Sequence, residues 1–391
     1  MFIGGFQGIP QMAKIRTAII GCGKVSATHA LAYSTLENSQ FSAVCGSKLE
    51  KTIAFSKAYG VPAYTDIGKM IAENDIQAVS ICAPHPLHAE LVRQAASAGA
   101  HVLCEKPLAV TLQDCDLAIH ACEIAGVKLS VISQRRYYPA VVRMADAVHS
   151  GKVGRPIIGT MTVLGWRSPE YYLLDPWRGK WKTEGGGVMV NQTVHQLDLL
   201  QWMMGPIAEV FGYWDNFNHP SVEIEDTAAA VIRFRNGAIG QFLVSNSQKP
   251  GFYGKIHVHG ESGASVGVQV EGGTPYISGV SSAVDPSFND IWTIPGEEAN
   301  LEIWQKQDRE IAKTIDPMNY YHQLQIKDFL DSILQDTEPP INGYEGRKTV
   351  ELFTAVYRSQ RDGKPVSFPL PIEEDESFDG RYSYLPYSKR K

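Results

Sequence analysis

Two stretches of the chain carry residue types suited to moving a proton, and a third is suited to holding a nucleotide. The proton candidates are Lys106, in Cys104-Glu105-Lys106-Pro107, and His195, four residues after Asn191 in VMVNQTVHQLDLL. A lysine at a strand's carboxyl end, beside a proline that fixes the turn, can direct its ammonium at a nicotinamide edge. Burial there would lower its pKa and suit it to proton transfer. A surface lysine beside a turn proline is the plain alternative. Glu184-Gly185-Gly186-Gly187 precedes a helical pattern on which Asn191 and His195 share a face, with Asp198 one turn further. A histidine facing a cleft can accept a hydroxyl proton as hydride leaves the carbon, whereas a lone helical histidine can also be merely satisfied within the fold.

The nucleotide candidate is Gly21-Cys22-Gly23-Lys24-Val25-Ser26, directly after an apolar run. Its glycines permit a tight turn and a close backbone approach to a pyrophosphate at a helix N-terminus, and Ser26 is small enough for helix–strand packing. The second strand ends Cys45-Gly46-Ser47-Lys48, with no acid until Glu50. An acid would repel a 2′-phosphate, whereas Ser47 and Lys48 can hold one, which favours NADP over NAD. A polar loop with one solvated lysine is the alternative. Between the lysine and the histidine lies a segment rich in rings and guanidinium groups: Trp166, Arg167, Tyr171, Tyr172, Trp177, Arg178 and Trp181. Flat rings stack on the apolar face of a pyranose, and arginine donates several hydrogen bonds to hydroxyls or a carboxylate. The same composition also serves packing or an oligomer contact.

The elements that must position these groups follow from periodicity. IRTAIIG, FSAVCG, AVSICAP, HVLCEKP and KLSVISQ are short apolar runs, separated by stretches such as KTIAFSKAYG and HAELVRQAASAGA with helical spacing. That alternation predicts βαβ units and a doubly wound parallel sheet, which binds its ligand at the carboxyl ends of the strands. After about residue 135 the texture changes. A helix over PAVVRMADAVHSG precedes PIIGTMTVLGW, AEVFGYWD, DTAAAVIRFRNG, AIGQFLVSNS, GKIHVHG and ASVGVQV, with a hairpin signal at Asn236-Gly237. The expected class is α/β, with a second α/β domain built on a large, mostly antiparallel open sheet. Helices around YYHQLQIKDFLDSIL and EGRKTVELFTAVYRSQ close the chain. The expected divisions are a leader (1–13), a dinucleotide-binding domain (14–134), a substrate and oligomerisation domain (135–370) and a polar tail (371–391).

Bulk properties narrow the function class. With 391 residues the chain accommodates two domains, and 44% hydrophobic with 20% charged residues is ordinary globular composition. A formal charge of −6 argues against a nucleic-acid or anionic-membrane surface. No run approaches the roughly eighteen apolar residues of a membrane span. All six cysteines fall in the first third, without a CxxC pair or metal-like spacing, so no metal site is expected and reduced thiols in the cytoplasm are.

The separate signals join in one resemblance. GCGKVSATH, APHPLH (with Pro84, His85 and His88), CEKP with Leu108, GGGVMVNQTVHQLDLL and EDTAAAVIRF occur in that order. Over roughly residues 15 to 370 the sequence resembles the Gfo/Idh/MocA oxidoreductases, which include glucose–fructose oxidoreductase and inositol dehydrogenases. The resemblance implies a Rossmann domain followed by a domain whose open sheet forms subunit contacts, hence a homodimer or homotetramer. It implies that Lys106 and His195 flank the reacting carbon, and that Arg136 and Tyr137 lie near the substrate. It also implies that Pro84, His85, His88, Glu105 and Gln134 border the cofactor. Many relatives carry Asp where this chain has Asn191. Asparagine can hydrogen-bond a substrate hydroxyl but cannot accept a proton, which shifts the acid/base role to Lys106 or His195.

The expected activity is hydride transfer between a nicotinamide and a secondary alcohol or ketone of a sugar, glycoside or cyclitol. Two alternatives stand beside it. One is a glycosidase that oxidises, eliminates and re-reduces with its cofactor held throughout; the other is a non-catalytic dinucleotide-binding sensor.

Overall fold

The computed structural model describes residues 13–249, 251–272 and 286–389, so the expected leader lies outside it except for Ala13. The first sheet contains β1 (Ile15–Ile20), β2 (Ser39–Cys45), β3 (Ala63–Tyr64), β4 (Ala78–Ile81), β5 (His101–Cys104) and β6 (Leu129–Val131). Its order is β3-β2-β1-β4-β5-β6 and every pairing is parallel. Ala-Val-Ser-Ile of β4 is buried at all four positions, because helices cover both faces. The crossover helices are α1 (Lys24–Thr35), α2 (Leu49–Lys57), α3 (Ile67–Asn74), α4 (His88–Ser97) and α5 (Leu112–Ala125). Local chemistry sets their ends. Thr111 Oγ1 accepts from Asp114 N at 3.1 Å to start α5, and Gly126, at φ 65°, stops it.

The second half opens with α6 (Pro139–His149) and β7 (Pro156–Leu164), then the short α7 (Pro169–Leu173) and α8 (Trp181–Glu184), and then α9 (Val194–Met204). It continues through β8 (Ile207–Asp215), β9 (Thr227–Phe234), β10 (Ile239–Ser245), β11 (Tyr253–Gly260), β12 (Ser265–Gly272) and β13 (Phe288–Trp292). Then come α10 (Asn300–Ala312), α11 (Pro317–Leu334), α12 (Gly343–Asp362) and β14 (Val366–Ser367). The eight-stranded sheet runs β13-β12-β11-β7-β10-β9-β8-β14, antiparallel except between β7 and β10. Asn236-Gly237 does turn β9 into β10, with Gly237 at φ 87°. Helices α6, α9 and α12 cover one face. On the other, Ile158, Tyr213, Val231, Ile239 and Leu243 are exposed.

Two features depart from the expected layout. Helix α11 packs on α1, and its Ile326, Phe329 and Leu330 complete the core formed by β1, α1 and β2. The end of the chain therefore folds back onto its beginning. The segment from 371, expected as a polar tail, is docked: Arg381 is fully buried, and Arg358 and Arg361 of α12 pair with Glu373, Asp375 and Asp379. Those charges are matched by α12 rather than by water. Among the described residues no helix is long and apolar enough to cross a membrane.

Candidate active site

The residues expected to face a nucleotide collect at the carboxyl ends of the parallel strands. Gly21 follows β1, Gly46 to Lys48 follow β2, Pro84 and His85 follow β4, Glu105 and Lys106 follow β5, and Gln134 follows β6. Gly21 sits at φ 108°, where a Cβ would lie 2.2 Å from the Cys82 carbonyl oxygen, so only glycine fits. Gly23 caps α1 with no side-chain cap, and the first turn carries no acid. Lys24 occupies its first position, and Val25 is half-buried. Helix N-terminal amides beside a backbone that tolerates no side chain suit a pyrophosphate. The Gln134 side-chain oxygen is buried without a hydrogen-bond partner among the described residues, as a polar group awaiting a ligand would be. Ser47 and Lys48 are exposed. The residues present fit a dinucleotide.

Lys106 reaches across to the second half. Its Nζ donates to the Asn191 carbonyl at 3.1 Å, and the Lys106–Pro107 peptide is cis. Burial pulls the Lys106 pKa down to about 8; Arg135 and Arg178 push the same way, and Glu105 and Glu184 oppose them. Glu105 is anchored from behind by His29 Nε2 at 3.0 Å, with His322 Nε2 at 3.6 Å. Burial raises the Glu105 pKa, but the hydrogen bonds from these histidines outweigh it and hold the carboxyl well below its usual range. Its second oxygen accepts from Lys106 N at 3.2 Å.

Asn191 and His195 do not share one continuous helix. Val188–Gln192 forms a π turn, Thr193 breaks it at φ −114°, ψ 7°, and α9 begins at Val194. The cause is local. Glu225 accepts from Gly187 N (2.8 Å) and Met189 N (3.1 Å), while Thr193 Oγ1 returns to the Val188 carbonyl (2.8 Å). Gly187 has no room for a Cβ, which would lie 1.8 Å from the Glu225 carbonyl oxygen. His195 is buried in the first turn of α9; burial, then the charges of Arg135 and Lys106, hold its pKa well below the usual value. The imidazole is neutral at neutral pH.

The ring-rich segment forms one connected wall, except that Trp181 packs on Trp214 and Tyr357. Arg178 donates to Tyr171 Oη at 2.5 Å and lies 4.5 Å from the Trp177 ring centroid. Trp177 meets His85 edge-on at 5.6 Å, and His85 Nδ1 bonds the Glu184 carbonyl at 3.0 Å. Tyr171 Oη also accepts from Gln192 at 3.1 Å, which ties the wall to the π turn. Farther out, Tyr172 and Trp166 pack on His219, and the Arg167 guanidinium lies 5.3 Å from the Tyr171 ring centroid.

Three expected site residues have other duties. Arg136 is committed to Asp198 and Glu345, and it stacks on Trp202 at 4.8 Å. Its neighbour Arg135 is the one whose charge acts on Lys106 and His195. Tyr137 faces Asp328 of α11; burial, and then that carboxylate, raise its pKa. His88 is a brace rather than a cofactor contact: its ring nitrogens span the Ala83 and Pro107 carbonyls, each at 2.8 Å. Sequence reasoning missed Arg135 and Glu184. The only available signal for Glu184 was an acid immediately before the glycine run.

Comparison with known proteins gives the family. Residues 15–133 match the family described as "Oxidoreductase family, NAD-binding Rossmann fold", and residues 141–266 match the "GFO/IDH/MocA C-terminal domain". The WlbA dehydrogenase of Bordetella pertussis, in complex with NADH and UDP-GlcNAcA, is 30% identical, with a TM-score of 0.77 over 92% of this chain and 100% of that one. Its counterpart from Chromobacterium violaceum, with the same ligands, is 28% identical, with a TM-score of 0.79 over 94% and 100% of the two chains. The myo-inositol 2-dehydrogenase of Thermotoga maritima is 30% identical over 258 residues, 64% of this chain and 74% of its own. Matched in both halves and along nearly its whole length, the chain belongs to the Gfo/Idh/MocA family of nicotinamide-dependent oxidoreductases.

Proposed function

We propose that this enzyme moves a hydride between a nicotinamide and a secondary alcohol or ketone of a sugar, glycoside or cyclitol, with Lys106 handling the hydroxyl proton. The observation that carries the reading is Lys106 Nζ held on the Asn191 carbonyl, between the cofactor-binding strand ends and the start of α9. A bound nicotinamide supplies the hydride acceptor or donor at its C4. A general base works best with its pKa near the operating pH, and Lys106 at about 8 meets that condition. His195, held far below it, stays neutral and orients the hydroxyl by a hydrogen bond. Asn191 donates its amide to Glu184, while its Oδ1 accepts no hydrogen bond among the described residues and is assigned to a substrate hydroxyl. Trp177, Arg178, Tyr172, Trp166 and Arg167 form the wall against which a sugar ring rests.

Finer assignments rest on single features. Ser47 and Lys48, with Lys51 one turn on, favour the 2′-phosphate of NADP, although the two WlbA relatives hold NADH. The exposed apolar face of the eight-stranded sheet is assigned to a homodimer or homotetramer contact. Five buried thiols and a half-buried Cys22, none paired, suit the cytoplasm.

The test is absorbance of reduced nicotinamide on mixing the protein with sugars, glycosides, cyclitols and a nucleotide-linked uronate, each with NAD and with NADP. A rise with one class supports the reading, and the better cofactor tests Ser47 and Lys48. Silence in both directions, with ketones and reduced cofactor included, overturns it.

A further inference from the structure

Glu184 is a fully buried acid that the reaction as written does not use. It ends α8, ahead of Gly185 at φ 88°, where a Cβ would meet Val110 at 2.2 Å. Its Oε1 accepts from Asn191 Nδ2 and its Oε2 from Gly179 N, both at 2.6 Å. Neither donor is charged. A carboxylate removed from water and given only neutral donors must be compensated from farther away, and the cations that act on it are Arg178 and Lys106.

Asn191 connects the two groups. Its side chain is fixed on Glu184, and its backbone carbonyl receives the Lys106 ammonium. We propose that Glu184 is a positioning residue of the reaction: by holding Asn191 it keeps that carbonyl on Lys106 Nζ, and its charge sets how readily Lys106 gives up its proton. The proposal rests on Lys106 being the proton-handling group.

The other groups facing this pair cannot play the same part. Glu105 also supports the Lys106 ammonium, but His29 and His322 keep it ionised, so its contribution is constant through neutral pH. Arg135 and Arg178 are constant cations. His85 and His195 are held neutral, chiefly by burial, and both ring nitrogens of His88 are taken up by the Ala83 and Pro107 carbonyls. Tyr171 and Tyr172 are held protonated, again chiefly by burial. Glu184 differs. Burial lifts it to about 7, so it changes charge in the range where Lys106 sheds its proton. The charge of each acts on the other. The sign follows: ionised Glu184 favours the ammonium, so removing its charge makes Lys106 deprotonate at lower pH.

The experiment reads Lys106 directly, without turnover: modification of the intact protein by an amine-reactive reagent across pH, with the Lys106 peptide quantified by mass spectrometry. In Glu184→Gln the midpoint moves down by about half a pH unit or more, whereas Glu184→Asp, which keeps the charge, leaves it nearly in place. The wild-type curve spans a wider pH range than one ionisation, which tests the coupling even if a variant fails to fold. An unmoved midpoint in folded Glu184→Gln, or a single-ionisation curve in the wild type, overturns the proposal. In a turnover assay the acid limb of kcat for alcohol oxidation shifts with the midpoint, whereas a purely structural role lowers kcat at every pH alike. If Lys106 responds to Glu184 but no polyol is oxidised, the coupling stands and the substrate reading falls.

Discussion

Replacing Arg381 by alanine tests whether the docked end of the chain supports the catalytic loop. Arg381 Nη1 donates to the Gly185 carbonyl at 2.9 Å and faces Val110 O at 3.4 Å, and Nη2 donates to Asp379 at 3.1 Å. The guanidinium lies 4.0 Å from the Tyr357 ring centroid and 3.9 Å from that of Phe378. Removing one member of a buried ion pair costs about 3–5 kcal/mol, and a buried carbonyl left without its donor about 1–3 kcal/mol. The two losses overlap, and Asp379 keeps Arg358 at 2.8 Å, so we expect a net loss of about 3–4 kcal/mol. That is a large share of the roughly 5–15 kcal/mol by which a domain is folded. Urea denaturation at fixed cofactor concentration measures it. Arg381→Lys keeps the charge but not the fork, and should recover only part of the loss. Because Gly185 follows Glu184 directly, kcat should also fall in the folded fraction. A stability within about 0.5 kcal/mol of wild type would refute the reasoning, since it would place Arg381 among ordinary surface residues.

Other expected outcomes follow from the same geometry. Gly21→Ala must place a Cβ against the Cys82 carbonyl at φ 108°, a strain of about 1–2 kcal/mol before the clash is counted, and fluorescence titration with reduced dinucleotide should show weakened binding. Wild-type affinity would mean that this turn does not cradle the cofactor. Lys106→Met should lower kcat by about 10²–10⁴-fold with cofactor affinity retained, while His195→Ala should lose only about tenfold, the worth of one hydrogen bond. The reverse order would exchange their roles. Glu225, lifted by burial to about 7, keeps a proton in the folded state that the unfolded chain releases near pH 4.5. Its contribution to stability therefore falls as pH rises from about 4.5 through 7, on the order of 2 kcal/mol, and urea melts of Glu225→Gln at pH 5 and 8 should show a smaller drop than wild type.

How much of this was legible in the sequence depended on where each partner lay. The parallel strands announce themselves as continuous apolar runs between turns, because both of their faces are buried. β3, at two residues, is too short to leave a pattern. Lys106 and His195 stood out because proline or glycine marks the turns beside them. Arg135 and Arg136 are adjacent in one short 3-10 turn, and nothing local says that Asp198 and Glu345 take the second, or that the charge of the first acts on Lys106 and His195. The end of the chain misled through composition. Its acids read as solvated until α12 supplies Arg358 and Arg361, whose own periodicity gives no hint of them.

The Lys106–Asn191 bond joins residues 85 positions apart, and it persists only if the two sheets keep their relation. Neither sheet secures that by itself. Helix α11 buries Ile326, Phe329 and Leu330 in the core of the first sheet, and α12 packs on both α5 and β8. Apolar burial at α12, non-directional, therefore helps to fix the gap across which a directional hydrogen bond and a tuned lysine must work, while burial at α11 seats the helix whose His322 faces Glu105. A substitution that loosens α11, such as Phe329→Ala, should thus weaken catalysis without touching a site residue. The packing lost is about 3–5 kcal/mol, in the core that α11 shares with β1, α1 and β2. If kcat and the Lys106 midpoint held while stability fell by that amount, the site would be positioned by its own hydrogen bonds alone.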